Sequence, residues 1–211
     1  MTKHFVFDFD GTIANSIEVV VKTFNVLAKK YGFQPVKPEQ YSMLQKMSIP
    51  KKLKVLNIPY YKVLSIKSIG TEFKKKYAEF LDEIDLIDGM QETCSKLQQM
   101  GYRLSILSSN SKENIVHFLK RHQMDVFDHI YSSEGLFGKQ HTLNKFSKQI
   151  GVSKADIIYV GDELRDIEAC KKSNVRIISV TWGMDSPELL LSANPDFIVR
   201  DPEDLLKVLT P

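Results

Sequence analysis

The sequence predicts an α/β fold built on a doubly wound, Rossmann-like parallel sheet. Five short runs are rich in β-branched and aromatic residues, a stretch with helical periodicity separates each from the next, and the runs are near-continuously apolar. Strands of that kind, alternating with helices, belong to a parallel sheet covered on both faces. The first run, 4–9 (HFVFDF), ends at the turn dipeptide Asp10-Gly11. A helical pattern over 90–100 leads to a second strand over 102–107 (YRLSIL), and helix 112–121 leads to strand 129–132 (HIYS). Helix 142–149 precedes strand 156–160 (DIIYV), helix 163–172 precedes strand 175–180 (VRIISV), and 196–199 reads as a further strand.

The alternation breaks between Ile17 and Leu86, where no convincing strand occurs. Helical patterns over 19–31, 49–56 and 68–81 are punctuated by Pro35, Pro38, Pro50 and Pro59. The chain therefore divides into a core of residues 1–16 and 87–211 and a helical module of residues 17–86. The 211 residues carry 29 Lys and Arg against 26 Asp and Glu, a net +3 that is too small to argue for nucleic acid. Within the module thirteen Lys and no Arg face seven Asp and Glu, a local +6, so the core is acidic at −3. A Lys-rich helical face is a solvated surface or a field that steers an anionic substrate; the two readings have about equal weight.

A hydrophobic content of 43% with 26% charged residues excludes disordered, collagen-like and coiled-coil classes. Cys94 and Cys170 lie far apart with no metal-ligand spacing, which argues against a disulfide framework or a structural zinc. Asp8 and Asp10 interrupt the place where a signal peptide needs an apolar run, and no stretch of 18 apolar residues occurs. The expectation is a cytoplasmic protein with no membrane partner. His4, His117, His122, His129 and His141 share no ligand spacing.

Ligands of open α/β sheets bind beyond the carboxyl ends of the strands. In this chain those positions hold Asp8, Asp10, Gly11 and Thr12, then Ser108, Ser109 and Asn110, then Gly161, Asp162 and Asp166. Singly, each has an ordinary explanation as a helix cap or a first-turn acid. Their coincidence at one rim does not. Two carboxylates about 4 Å apart repel by roughly 4 kcal/mol at an effective dielectric near 20, so the cluster calls for protons or a cation. Oxygen donors without His or Cys favour Mg²⁺, which also binds phosphate.

Phe7-Asp8-Phe9-Asp10-Gly11-Thr12 resembles the DxDGT signature of the haloacid dehalogenase-like (HAD) hydrolase superfamily. Three further motifs follow in order: Ser109 resembles the second-motif Ser/Thr, Lys139 after Phe137-Gly138 the third-motif lysine, and the run from Gly161 to Asp166 the GDxxxD motif. The resemblance covers the whole core, and residues 17–86 sit where one subfamily inserts a helical cap domain. Thr181-Trp182-Gly183 is similar to a segment of phosphoglycolate-phosphatase-like members, although a lone Trp182 more often fills space.

The resemblance implies a Mg²⁺-dependent phosphatase acting on a small phosphorylated metabolite. Asp8 would be the nucleophile that forms an aspartyl-phosphate, and Asp10 the general acid and base. Asp8, the Asp10 backbone carbonyl and Asp162 would hold the metal, with Asp166 orienting them from outside the ligand set. Ser109, Lys139, Gly11, Thr12 and Asn110 would hold the phosphoryl group. Ser108 is the adjacent alternative for the serine; Ser109 is preferred because Asn110 follows it. Asn15 stands where many capped members have Asp, which bears on how the cap closes. The same residues could serve a phosphotransferase such as a sugar-phosphate mutase, or survive in a low-turnover binding or regulatory module. A monomer or homodimer fits either. Lys46 and Ser48 are candidate cap contacts to substrate, with a solvated surface the stronger reading.

Overall fold

The structure, a computed structural model, describes residues 4–59, 66–133 and 138–208, the side chains of 66–68 excepted. Six strands form one sheet: β1 His4–Phe7, β2 Arg103–Ser108, β3 His129–Ser132, β4 Ile157–Gly161, β5 Arg176–Val180 and β6 Phe197–Val199. Their order is β3-β2-β1-β4-β5-β6 and every pairing is parallel. β1 lies in the middle, with His4 opposite both Arg103 and Ile157. The winding reverses beside β1, so the loop that leaves it opens into the crevice where such sheets take their ligands.

Alternation along the strands divides the core between two faces. Phe5 and Phe7 point to one face, with Ile106, Ile158 and Val160. That face is covered by α5 (Met90–Gln99) and α6 (Lys112–Arg121), through Met90, Cys94, Ile115 and Phe118. Phe9, just past β1, meets Phe118 edge to face with ring centroids 5.0 Å apart. Val6, Leu107, Tyr159 and Ile177 point to the opposite face. α7 (Lys139–Ile150), α8 (Leu164–Ser173) and α9 (Pro187–Ser192) cover them with Leu143, Phe146, Ile167 and Leu190. A last short helix, α10 (Asp204–Lys207), returns Leu205 to the first face.

Between β1 and α5 the described chain is helical: α1 Ile17–Tyr31, α2 Tyr41–Gln45, α3 Ile49–Val55 and α4 Ile66–Ala78. Val36, Leu44 and Leu56 form a small apolar cluster with Val21 and Phe24, separate from the two faces of the sheet. α1 and α4 are tied by Lys30 and Tyr31, each 2.6 Å from the Glu72 carboxylate. The chain leaves and re-enters the sheet through one doorway, where Ala14 bridges Leu86, the Asn15 amide donates to Asp85 O at 2.9 Å and the Ile87 amide to Ile13 O at 2.9 Å.

Several element ends differ from the sequence expectation. β1 stops at Phe7 rather than Phe9, because the Phe9 amide turns to the Asp8 side chain at 2.7 Å instead of continuing the ladder. α7 begins at Lys139, not at 142, so the lysine sits in its first turn. α2, α9 and α10 had no counterpart in the sequence reading. α9 carried a readable signal, since Ser186 caps it by accepting from the Leu189 amide and Pro187 occupies the first turn.

His4 is a buried polar residue in β1, its Nε2 2.8 Å from Ser105 Oγ. Burial lowers its pKa to about 4, with smaller contributions from neighbouring charges. An unfolded chain would protonate near 6.5, so folding is fully favoured above that pH and loses free energy as pH falls toward about 4. The effect is on the order of 1–3 kcal/mol. Thermal melts between pH 7 and 4.5 should show a shallower acid decline for His4→Gln than for the unaltered protein; parallel curves would contradict this.

Candidate active site

The centre lies at the carboxyl ends of β1 and β4. Asp8 is buried, and its amide still donates to Val160 O at 2.8 Å, so β4 holds it in place after the strand has formally ended. The following turn closes on itself: Gly11 N donates to Ala14 O at 3.0 Å and Thr12 N to Phe9 O at 3.3 Å. The amides of Gly11 and Thr12 are thus engaged in shaping the loop. The Thr12 hydroxyl donates to Asp162 Oδ1 at 2.7 Å, fixing the carboxylate at the end of β4.

Asp162 has no exposed surface. Its other oxygen accepts from the Met184 amide at 2.7 Å. Two glycines leave room for it: a Cβ on Gly11, whose φ is +74°, or on Gly183 would stand 2.2 Å from its atoms. Asp166, also fully buried, accepts from the Glu163 amide at 3.2 Å in the first turn of α8. The Lys139 ammonium bridges Asp8 and Asp166 from the start of α7. Asp8, Asp162 and Asp166 each offer an oxygen within 4.8 Å of the others.

Burial and then the charges of Glu163, Asp8 and Asp166 push the Asp162 carboxyl well above its ordinary range, against the Met184 amide. Burial likewise raises Asp166 to about 7, with Lys139 pulling the other way. Burial alone would lower Lys139, but the charges of Asp166 and Asp8 outweigh it and hold the ammonium firmly protonated. One ammonium among three buried carboxylates leaves a deficit of positive charge. The donors are all hard oxygens, a set that fits a divalent cation of the Mg²⁺ kind.

Across the rim, Asp10 is partly buried and both its oxygens are occupied. Tyr77, from α4, donates to Oδ1 at 2.6 Å, and Asn110 Nδ2 donates to Oδ2 at 3.0 Å. Burial raises Asp10, opposed chiefly by the Tyr77 bond. Asn110 is itself oriented by Asn114, which donates to its Oδ1 at 3.0 Å. Ser108 ends β2 in a buried position and accepts from the Asn110 amide at 3.2 Å, whereas Ser109 is partly exposed and its hydroxyl lies 3.5 Å from Arg165 Nη2. Arg165 pairs with Glu163, Nε to Oε2 at 2.6 Å.

The sequence-derived residues Asp8, Asp162, Asp166 and Lys139 therefore meet at one point, with Thr12 behind Asp162 and Asp10, Asn110 and Ser109 around the rim. Phe137 lies outside the described residues. Tyr77, Glu163, Arg165, Asp185, Gln45 and Lys52 were not anticipated. Lys52 Nζ pairs with Asp185 Oδ1 at 2.6 Å and Gln45 Nε2 donates to Gly183 O at 3.3 Å, so both residues touch the core. No local pattern reveals partners that far apart in sequence. Trp182 donates Nε1 to Thr12 O at 3.1 Å and packs beside the first core face.

A doubly wound α/β protein with a buried acidic centre at the switch point is the class this geometry defines. A family model described as haloacid dehalogenase-like hydrolase matches residues 5–180. The chain is 29% identical over 207 residues to a phosphoglycolate phosphatase of Synechococcus elongatus, covering 97% of this chain and 96% of that one. It is 26% identical to the pyrophosphatase PpaX of Listeria monocytogenes, covering 97% and 94%. A haloacid dehalogenase-like family hydrolase from Streptococcus pneumoniae superposes with a TM-score of 0.81 at 18% identity, covering 99% of each chain. The chain belongs to the haloacid dehalogenase-like hydrolases.

Two substitutions probe the supports of this centre. Gly183→Ala should displace Asp162 and destabilise the fold by about 1–3 kcal/mol, measured as a fall in melting temperature together with loss of hydrolase activity. Tyr77→Phe removes one donor from Asp10 and leaves the ring in place. Steady-state kinetics should show kcat reduced by about tenfold with KM nearly unchanged, as befits a group that acts on the transition state more than on substrate binding.

Proposed function

We propose that the enzyme is a Mg²⁺-dependent phosphatase that hydrolyses a small phosphorylated metabolite through an aspartyl-phosphate on Asp8. The observation that carries this reading is the buried Lys139, bridging Asp8 and Asp166 beside Asp162. Asp8, the Asp10 carbonyl and Asp162 would hold the cation, and Asp166, held by Lys139 and the Glu163 amide, would orient them from outside the ligand set. When bound, Mg²⁺ supplies positive charge that draws the phosphoryl group in and offsets its negative charge.

A carboxylate oxygen of Asp8 attacks phosphorus as the bond to the leaving oxygen breaks, and Asp10 gives that oxygen its proton. Water then attacks the phosphoryl group, Asp10 takes a proton from it, and the bond to Asp8 breaks to return the carboxylate and free phosphate. Lys139 and Ser109 hold phosphoryl oxygens through both steps. Burial raises the pKa of Asp10, while its donors Tyr77 and Asn110 favour the ionised form.

Residues 17–86 act as a cap over this centre. Their own apolar cluster of Val36, Leu44 and Leu56, and the meeting of their two ends at Ala14 and Leu86, support that reading. Their +6 charge suits an anionic substrate. The names of the two curated relatives point the same way, toward small, acidic phosphate compounds. The same reading puts the enzyme in the cytoplasm, which the free, buried Cys94 and Cys170 suit.

Asp8→Asn should abolish release of p-nitrophenol from p-nitrophenyl phosphate, and Asp10→Asn should lower kcat by about 10²- to 10⁴-fold. EDTA should silence the unaltered enzyme and Mg²⁺ should restore it. Full turnover by Asp8→Asn would sink the mechanism. A panel of phosphorylated metabolites, assayed for released phosphate, identifies the substrate class, and isomer formation without phosphate release would mark a phosphotransferase instead.

A further inference from the structure

We infer that the Lys52–Asp185 ion pair is a positioning device that makes the seating of α2 and α3 on the core and the shaping of the cation site around Asp162 a single event. The inference rests on the reading of Asp162 as a Mg²⁺ ligand. Asp185 lies in the loop after β5, only 4% exposed, and its two carboxylate oxygens and its amide are committed. Oδ1 accepts from Lys52 Nζ at 2.6 Å, Oδ2 accepts from the Leu164 amide that opens α8 at 2.8 Å, and its own amide donates to Asp162 O at 3.3 Å.

The neighbouring residues of the loop do the same. Met184 N donates to Asp162 Oδ2 at 2.7 Å, and Gly183 packs so near Asp162 that a Cβ would overlap it. From the helical side, Gln45 Nε2 donates to Gly183 O at 3.3 Å, while Gln45 O accepts from Ser186 N at 2.9 Å. Tyr41, one turn before Gln45 on α2, feels the charges of both Asp162 and Asp185. The loop is thus gripped on one side by α2 and α3 and grips Asp162 on the other. If the helices lift, Asp185 loses its cation and the loop loses its Gln45 contacts. The Met184 and Asp185 amides that fix Asp162 then lose their support. A loose Asp162 is a poorer ligand, and loss of such supporting contacts typically weakens metal binding by about 10- to 100-fold.

Charge sign makes the test sharp. Lys52 is a cation near an acidic cation site, so if it acted through its field alone, removing it would tighten metal binding. A positioning role predicts the opposite. Mn²⁺ titrations of the full chain, followed by electron paramagnetic resonance of the free ion, should show Lys52→Met binding about tenfold more weakly than the unaltered protein. Lys52→Arg, which keeps charge and reach, should recover most of the affinity. Lys54→Met removes the same charge from an exposed position of α3 and should bind normally. Gln45→Ala changes no charge and should weaken Mn²⁺ binding several-fold, which keeps the inference open to refutation should Lys52→Met fail to fold. Unchanged or tighter binding by Lys52→Met, or by Gln45→Ala in its place, overturns the inference and leaves the phosphatase reading standing. If the unaltered protein binds no Mn²⁺, both fall together.

Discussion

Repulsion among buried carboxylates is the constraint around which this molecule is arranged. Asp8, Asp162 and Asp166 occupy one small volume, and Lys139 is the cation in direct contact with two of them. Left in water these groups would separate; here each is tied to a different rigid element. Asp8 hangs from the β1–β4 ladder, Asp162 is gripped by Thr12 and the Met184 amide, and Asp166 and Lys139 sit in the first turns of neighbouring helices. A parallel sheet with β1 between β2 and β4 brings all of these to one edge, and the two-faced core supplies the rigidity that holds them there against their mutual repulsion.

The helical segment extends the same logic outward. It reaches the centre at two separate places, Tyr77 on Asp10 and Lys52 with Gln45 on the loop beside Asp162. Each contact fixes a carboxylate, one directly and one through backbone amides. The segment is therefore part of the scaffold of the site as well as its cover, although its own apolar cluster of Val36, Leu44 and Leu56 is small.

Much of this was readable beforehand, and the limits of reading have a physical origin. The interior strands β1, β2, β4 and β5 are buried and announce themselves as apolar runs, the edge strands β3 and β6 are only partly buried and show through their β-branched and aromatic residues, and all six were found to within two residues. Asp8, Asp162, Asp166 and Lys139 were legible because strand ends concentrate chemistry and because their motifs are local. Tyr77, Asp185 and Lys52 were not. Asp185 looks like any polar loop residue, and its importance comes from Lys52, a partner 133 positions away that no periodicity encodes. α2 escaped notice for a different reason: at five residues it is too short to show a helical period.

The central position of β1 has a consequence for how the chain must assemble. β1 is synthesised first, yet its partners are β2, whose Arg103 pairs with His4, and β4, whose Ile157 pairs with the same residue from the other side. The Phe-rich run of 4–9 therefore leaves the ribosome with no neighbour to hydrogen-bond to until about a hundred further residues have followed. During that interval the helices of 17–86 can gather round their own small cluster, but they cannot cover the strand from both faces. Long-range parallel pairing folds slowly and leaves such a strand open to association with other chains. The same topology that places the nucleophile at the heart of the sheet thus makes its strand the vulnerable part of the nascent protein.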